Sequence, residues 1–148
     1  MKRSLGWLAV FGLGLTSQAW GQDCALTIES NDQMMYDKSE LKVSSTCKEV
    51  TLTLKHTGKS AVTLMGHNWV LSKTADAGPL QNAATAAGPP KYLPQNDPRV
   101  LAATDVIGGG QETTIKFDIS GLEPGGDYTY FCSFPPHWVL MKGKFVVE

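Results

Sequence analysis

Long apolar runs are missing from this 148-residue chain. A membrane-spanning helix needs roughly 20 apolar residues; the run from Leu5 to Leu15 is well short of that, and nothing later comes near it. No membrane span is expected. Charge of one sign is equally scarce: 13 Lys and Arg face 14 Asp and Glu, for a formal net charge of −1. Such a balance argues against nucleic acid or an anionic membrane surface as partner. Internal repeats and low-complexity tails are absent. Cysteine and histidine are sparse, three of each, so whatever chemistry they carry rests on very few side chains.

What is present begins with a leader. Met1-Lys2-Arg3 is basic, Leu5 to Leu15 is apolar, and Ala19-Trp20-Gly21 ends the segment with a small-x-small pattern. This reads as a secretory signal peptide over residues 1–21, cleaved after Gly21 or, alternatively, after Ala19. Losing the two positive charges of Lys2 and Arg3 takes the net charge from −1 to −3. Residues 22–148 then form one domain of ordinary size.

Three cysteines in an exported chain suggest one disulfide and one leftover thiol. Cys24 and Cys47 are the natural pair, because they flank the strand-like runs Ala25 to Ile28 and Leu41 to Val43, expected to lie side by side. Closing the loop between them would stabilise the fold by about 3 kcal/mol on the chain-entropy model. Cys132 is left over, and in an oxidising compartment a reactive thiol is a liability unless buried or held by a metal.

Val50, Leu52 and Leu54 alternate with polar neighbours, as do Ile115, Phe117 and Ile119; a period of two marks half-buried strands. Similar runs lie at Ala61 to Met65, Trp69 to Ser72, Tyr128 to Cys132 and Gly143 to Val147. The pattern predicts an all-β, antiparallel Greek-key sandwich. The Ala-rich stretch from Lys73 to Ala87 breaks it and predicts one short helical insertion starting near Pro79.

The stretch from Cys132 to Met141 places a thiol, the imidazole of His137 and a thioether in one loop with the spacing Cys-x4-His-x3-Met. His67 lies far upstream, and its neighbours Gly66 and Asn68 set it apart from an ordinary core histidine. A thiolate and two imidazoles suit copper in a trigonal plane, with a thioether as a long axial contact. The Gly66 carbonyl is a candidate for the opposite axial position, since glycine lets backbone approach a metal. Asn68 can tie the two halves together and donate toward the Cys132 sulfur. Zinc shares a Cys/His2 preference, but Met as the fourth candidate favours copper. No His-Cys-His bridging pattern and no second histidine cluster is present to build a catalytic centre, so the chain is not expected to be an enzyme. Trp69 reads as core.

Beyond these residues the chain resembles the azurins, small bacterial blue-copper electron carriers of the cupredoxin family. The matching stretches are Asn31 to Met34, Met65 to Ser72, Phe131 to Pro135 with His137, and Leu140 to Gly143, together with the spacing of Cys24 and Cys47. The resemblance implies a cupredoxin domain over 22–148, an eight-stranded sandwich with one copper per chain. It implies Cys132, His67 and His137 as strong ligands, Met141 and Gly66 as axial groups, and Asn68 and Phe134 beside them. Pro136 stands where azurins usually have Gly, Trp138 replaces a small residue, and Ala103 takes the place of a second histidine. His56 matches a buried titrating histidine, but Thr57 follows it in place of Pro.

The expected function is periplasmic electron transfer by a monomer that cycles one copper and meets transient redox partners such as c-type cytochromes or reductases. Electrons are expected to leave through the edge of His137, set at the surface among Met34, Leu64, Met65, Pro135, Pro136, Trp138, Val139 and Leu140. For Leu64 and Leu140 a core position is weighed equally. Trp138 either widens that face or shields the site. The alternative is a copper-binding carrier or resistance protein that transfers metal and not electrons.

Overall fold

The structure is a computed structural model describing residues 24–148; the expected leader over 1–21 lies outside them. The alternation read from the sequence is visible in burial. In β4 (Glu49–His56) Val50, Leu52, Leu54 and His56 are buried while the residues between them are not. In β7 (Glu112–Asp118), which pairs with β4, Thr113, Ile115 and Phe117 lie half-buried between exposed neighbours. A side-chain period of two puts one set of residues on the core face of each strand.

In chain order the other elements are β1 (Ala25–Asn31), β2 (Met35–Tyr36), β3 (Glu40–Val43), α1 (Val62–Met65), β5 (Val70–Lys73), α2 (Thr74–Ala87), β6 (Ala102–Ala103), β8 (Tyr128–Phe131) and β9 (Lys142–Val147). They form a four-stranded sheet in the order β2-β1-β4-β7 and a five-stranded sheet in the order β3-β9-β8-β5-β6. The chain passes repeatedly from one sheet to the other, which makes the pairs β1/β4 and β3/β9 parallel and the rest antiparallel. Ile28, Leu52, Leu54, Trp69, Leu71, Tyr130 and Phe145 fill the space between the sheets with essentially no exposure. This is the Greek-key sandwich with one helical insertion that the pattern predicts, except that β1/β4 and β3/β9 are parallel where antiparallel pairing was expected.

Four further details differ from the sequence reading. The run Ala61 to Met65 is a single helical turn, with Leu64 and Met65 amides both bonded to the Ala61 carbonyl. No residue of α1 is buried, so nothing there rewards the alternating pattern of a strand. The runs after Cys24 and before Cys47 are not neighbours: β1 lies in one sheet and β3 in the other. The Cys24–Cys47 disulfide forms nonetheless. The helix starts at Thr74 and carries Pro79 inside it. Thr74 fixes that start through its amide and hydroxyl, bonded to the carbonyl and carboxylate of Asp127 at 3.0 and 2.8 Å, and burial of Ala77, Leu80 and Ala84 offsets the missing proline amide. Finally, nine strands are present among the described residues against the eight implied, the two-residue β2 and β6 included.

Two loops at one end of the sandwich carry the donor atoms. The segment 66–69 leads into β5 and is bridged to Ile107. The segment 132–141 joins β8 to β9 and is closed by the Cys132 amide on the Met141 carbonyl at 3.0 Å. Among the described residues no helix is long and apolar enough to cross a membrane.

Candidate metal centre

Cys132 follows β8 directly, so the strand fixes its backbone while the loop that follows folds back over it. That loop is wound tightly: the His137 amide bonds the Phe134 carbonyl at 2.7 Å, and the amides of Leu140 and Met141 bond the His137 carbonyl at 3.0 and 2.8 Å. The winding turns His137 toward Cys132 and toward His67 on the other loop. Nδ1 of His67 and Nδ1 of His137 are 3.1 Å apart, and each is 3.9 Å from the Cys132 sulfur. All three residues are buried.

The far side of His67 is fixed, since its Nε2–H donates to the Asn31 carbonyl at 2.8 Å. That bond leaves the lone pair of the neutral ring on Nδ1, facing the other donors. The Gly66 carbonyl is 4.0 Å from the sulfur. A Cβ on Gly66 would meet the Val62 carbonyl at 2.5 Å and the Phe134 ring at 2.9 Å, so only glycine allows this approach. Met141 is fully buried and packs with Cys132 and Phe134.

Asn68 joins the two loops. Its side chain accepts the Ser133 amide and donates to the Ser133 hydroxyl, both at 2.8 Å. The backbone amides of Asn68 and Phe134 lie toward the Cys132 sulfur and favour its charged form. Phe134 also stacks on His137, ring centroids 4.7 Å apart. His56 lies on the opposite face of His67, stacked at 4.5 Å. Its Nε2–H donates to the Met65 carbonyl at 2.9 Å, and Nδ1 accepts the Gly58 amide at 3.0 Å.

Burial dominates the electrostatics. It pushes the Cys132 thiol up to about 12, against the smaller opposing effect of the two amides. Burial likewise lowers His67 to about 4 and holds His137 below the usual imidazole range. Near neutral pH both imidazoles therefore offer lone pairs, and the thiol keeps its proton until a cation draws it off. Two neutral imidazoles and a thiol converging in a dry site, with a thioether beside them, match the donor preferences of copper better than those of harder metals.

Around the site Leu64 is 74% exposed, Val139 63% and Leu140 62%; these three are surface residues, not core. Pro136 is exposed, while Met34, Met65 and Pro135 are half-buried. Val62 and Met35 are exposed apolar residues that the sequence reading passed over. His137 does not reach the surface as expected: it is 3% exposed, covered by Phe134 and its own loop. Trp138 takes neither of its expected places. It turns sideways against Val70, Ala77, Leu80 and Phe131, under α2, with Leu93, Val100 and Ala103 around it. Asn31, Ser133 and Tyr36 also touch the site; Asn31 and Ser133 lie in stretches that carry the resemblance, and Tyr36 does not. Trp69 is core, as read, with its Nε1–H unpartnered among the described residues.

Comparison with known proteins gives concordant matches. Residues 22–148 match the family of copper binding proteins described as the plastocyanin/azurin family. The chain is 46% identical to the azurin of Bordetella pertussis over 143 residues, 96% of this chain and 95% of that one. It is 51% identical to azurin-1 of Alcaligenes xylosoxydans xylosoxydans over 122 residues, covering 82% and 95%. The solved structure of an azurin (Az-iso2) from the obligate methylotroph Methylomonas sp. strain J superposes with a TM-score of 0.81 at 40% identity, over 84% of this chain and 98% of that one.

Proposed function

Because the chain belongs to the plastocyanin/azurin family of copper-binding proteins, we propose that it is a periplasmic electron carrier, exported by residues 1–21 and working as the monomeric domain 22–148. The observation that carries this reading is the convergence of His67, Cys132 and His137 within 4.8 Å in a buried site. Copper bound there supplies a one-electron couple between Cu(II) and Cu(I).

The chain's own part is to hold the donors still. Cys132, His67 and His137 would hold the copper, with the Met141 sulfur and the Gly66 carbonyl as weaker donors beside them. The Asn31 carbonyl sets the tautomer of His67, Asn68 locks the two loops, and Phe134 braces His137. Ligands fixed in this way keep one geometry in both oxidation states, so little has to reorganise when an electron passes. Electrons enter and leave by way of His137 through the face that carries the exposed apolar residues Leu64, Pro136, Val139 and Leu140 and the half-buried Met34, Met65 and Pro135. Small apolar faces suit brief encounters with redox partners such as c-type cytochromes or reductases.

Comparing electron self-exchange with copper loss tests this reading against metal delivery. An electron carrier should exchange electrons between its two oxidation states many orders of magnitude faster than it releases copper to a chelator. Rapid copper release with sluggish self-exchange would make it a metal-delivery protein instead.

A further inference from the structure

The segment His67–Trp69 pairs with residues 104–107 along one side. The His67 amide and carbonyl pair with Ile107 at 3.0 and 2.8 Å, and the Trp69 amide and carbonyl bond Thr104 at 2.9 Å each. In extended backbone, successive residues turn their polar groups to opposite sides. Asn68 therefore sends both its amide and its carbonyl the other way, toward the Cys132 sulfur and toward Tyr36. The Tyr36 hydroxyl donates to that carbonyl.

Tyr36 is well placed to hold this position. It comes from β2, on the opposite sheet, and packs both against the main core and against Cys132, Phe134 and Met141. Its ring meets Tyr130 edge to face, with centroids 5.7 Å apart. A phenol keeps its proton near neutral pH, so the hydroxyl is available as the donor of this bond. With the Asn68 side chain bonded to Ser133, the Tyr36 bond closes the remaining side of the residue.

We propose that Tyr36 is a positioning residue for the metal site: by holding the Asn68 carbonyl it fixes where the Asn68 amide meets the Cys132 sulfur. An amide aimed at a thiolate stabilises its negative charge and weakens its donation to the metal, which favours Cu(I). Losing the Tyr36 hydroxyl lets Asn68 drift and lowers the reduction potential. The inference rests on the reading of Cys132 as a copper ligand.

The test compares wild type, Tyr36→Phe and Tyr130→Phe. The control also loses a hydroxyl from the same aromatic cluster, one that donates to the Lys38 carbonyl at 2.6 Å and not to the site. Three quantities are read: the reduction potential, the copper affinity, and the hydrogen exchange of the Asn68 amide in metal-free protein. Tyr36→Phe should lower the potential, weaken copper binding by about tenfold and speed exchange at Asn68, with Tyr130→Phe doing none of these. An unchanged potential and unchanged exchange in Tyr36→Phe would overturn the proposal, as would an equal shift in Tyr130→Phe. Should Tyr36→Phe fail to fold, 3-fluorotyrosine at position 36, a stronger donor of the same shape, should raise the potential, and no change would again overturn it. A wild-type protein that bound no copper would count against the copper reading, and the metal-free exchange at Asn68 would still decide the role of Tyr36.

Discussion

Met141 shows how much hangs on one atom. Its thioether is fully buried against Cys132 and Phe134, and leucine fills a similar volume, so Met141→Leu should cost the fold under about 1.5 kcal/mol. Taking away a weak donor disfavours Cu(II) more than Cu(I). Voltammetry should find a higher potential in the copper-retaining variant; an equal or lower one would deny Met141 its axial role. His67 gives a pH prediction for the metal-free protein. Burial lowers its folded value from the ordinary 6.5 to about 4, so the unfolded chain takes up a proton that the folded one refuses. Stability is then full above about pH 6.5 and falls as pH drops toward 4, by about 3 kcal/mol, with His137 adding in the same direction. Urea unfolding at a series of pH values should show this loss, and it should be smaller in His67→Phe, where the His137 contribution remains. The meeting of Cys132 and His137 was legible in the sequence because one loop carries both. The hydroxyl of Tyr36 was not, since it meets Asn68 across 32 residues and no local pattern records such a contact.

Among the elements, the strands were legible where one face is buried, as in β4, and illegible where it is not, as in α1, none of whose residues is buried. The short turn His137–Val139 is a further case. Its winding decides that His137 faces the site, Val139 the solvent and Trp138 the underside of α2, and spacing alone does not register such a rotation. Trp138 thus anchors the ligand loop to the helix. Trp138→Ser should lower thermal stability, by about 2 kcal/mol for a half-buried indole, while leaving the visible spectrum of the copper form intact. Unchanged stability would mean that the ring is not packed there.

At the scale of the whole molecule, the donors are gathered at one end of the sandwich, where Val139 and Leu140 are exposed. On the proposed exit through this face, two copies would press these residues together to exchange an electron. Val139→Lys brings two like charges into the encounter. Self-exchange should slow strongly, recover in part at high salt, and leave the spectrum unchanged; an unaltered rate would move the exit to another face.

The central claim is that Cys132 gives a thiolate to a single copper, and visible absorption during copper titration tests it most directly. Wild type should turn intensely blue and saturate at one copper per chain, while Cys132→Ser should stay colourless at every copper level. A blue Cys132→Ser protein, or a wild type that binds copper without colour, would contradict it.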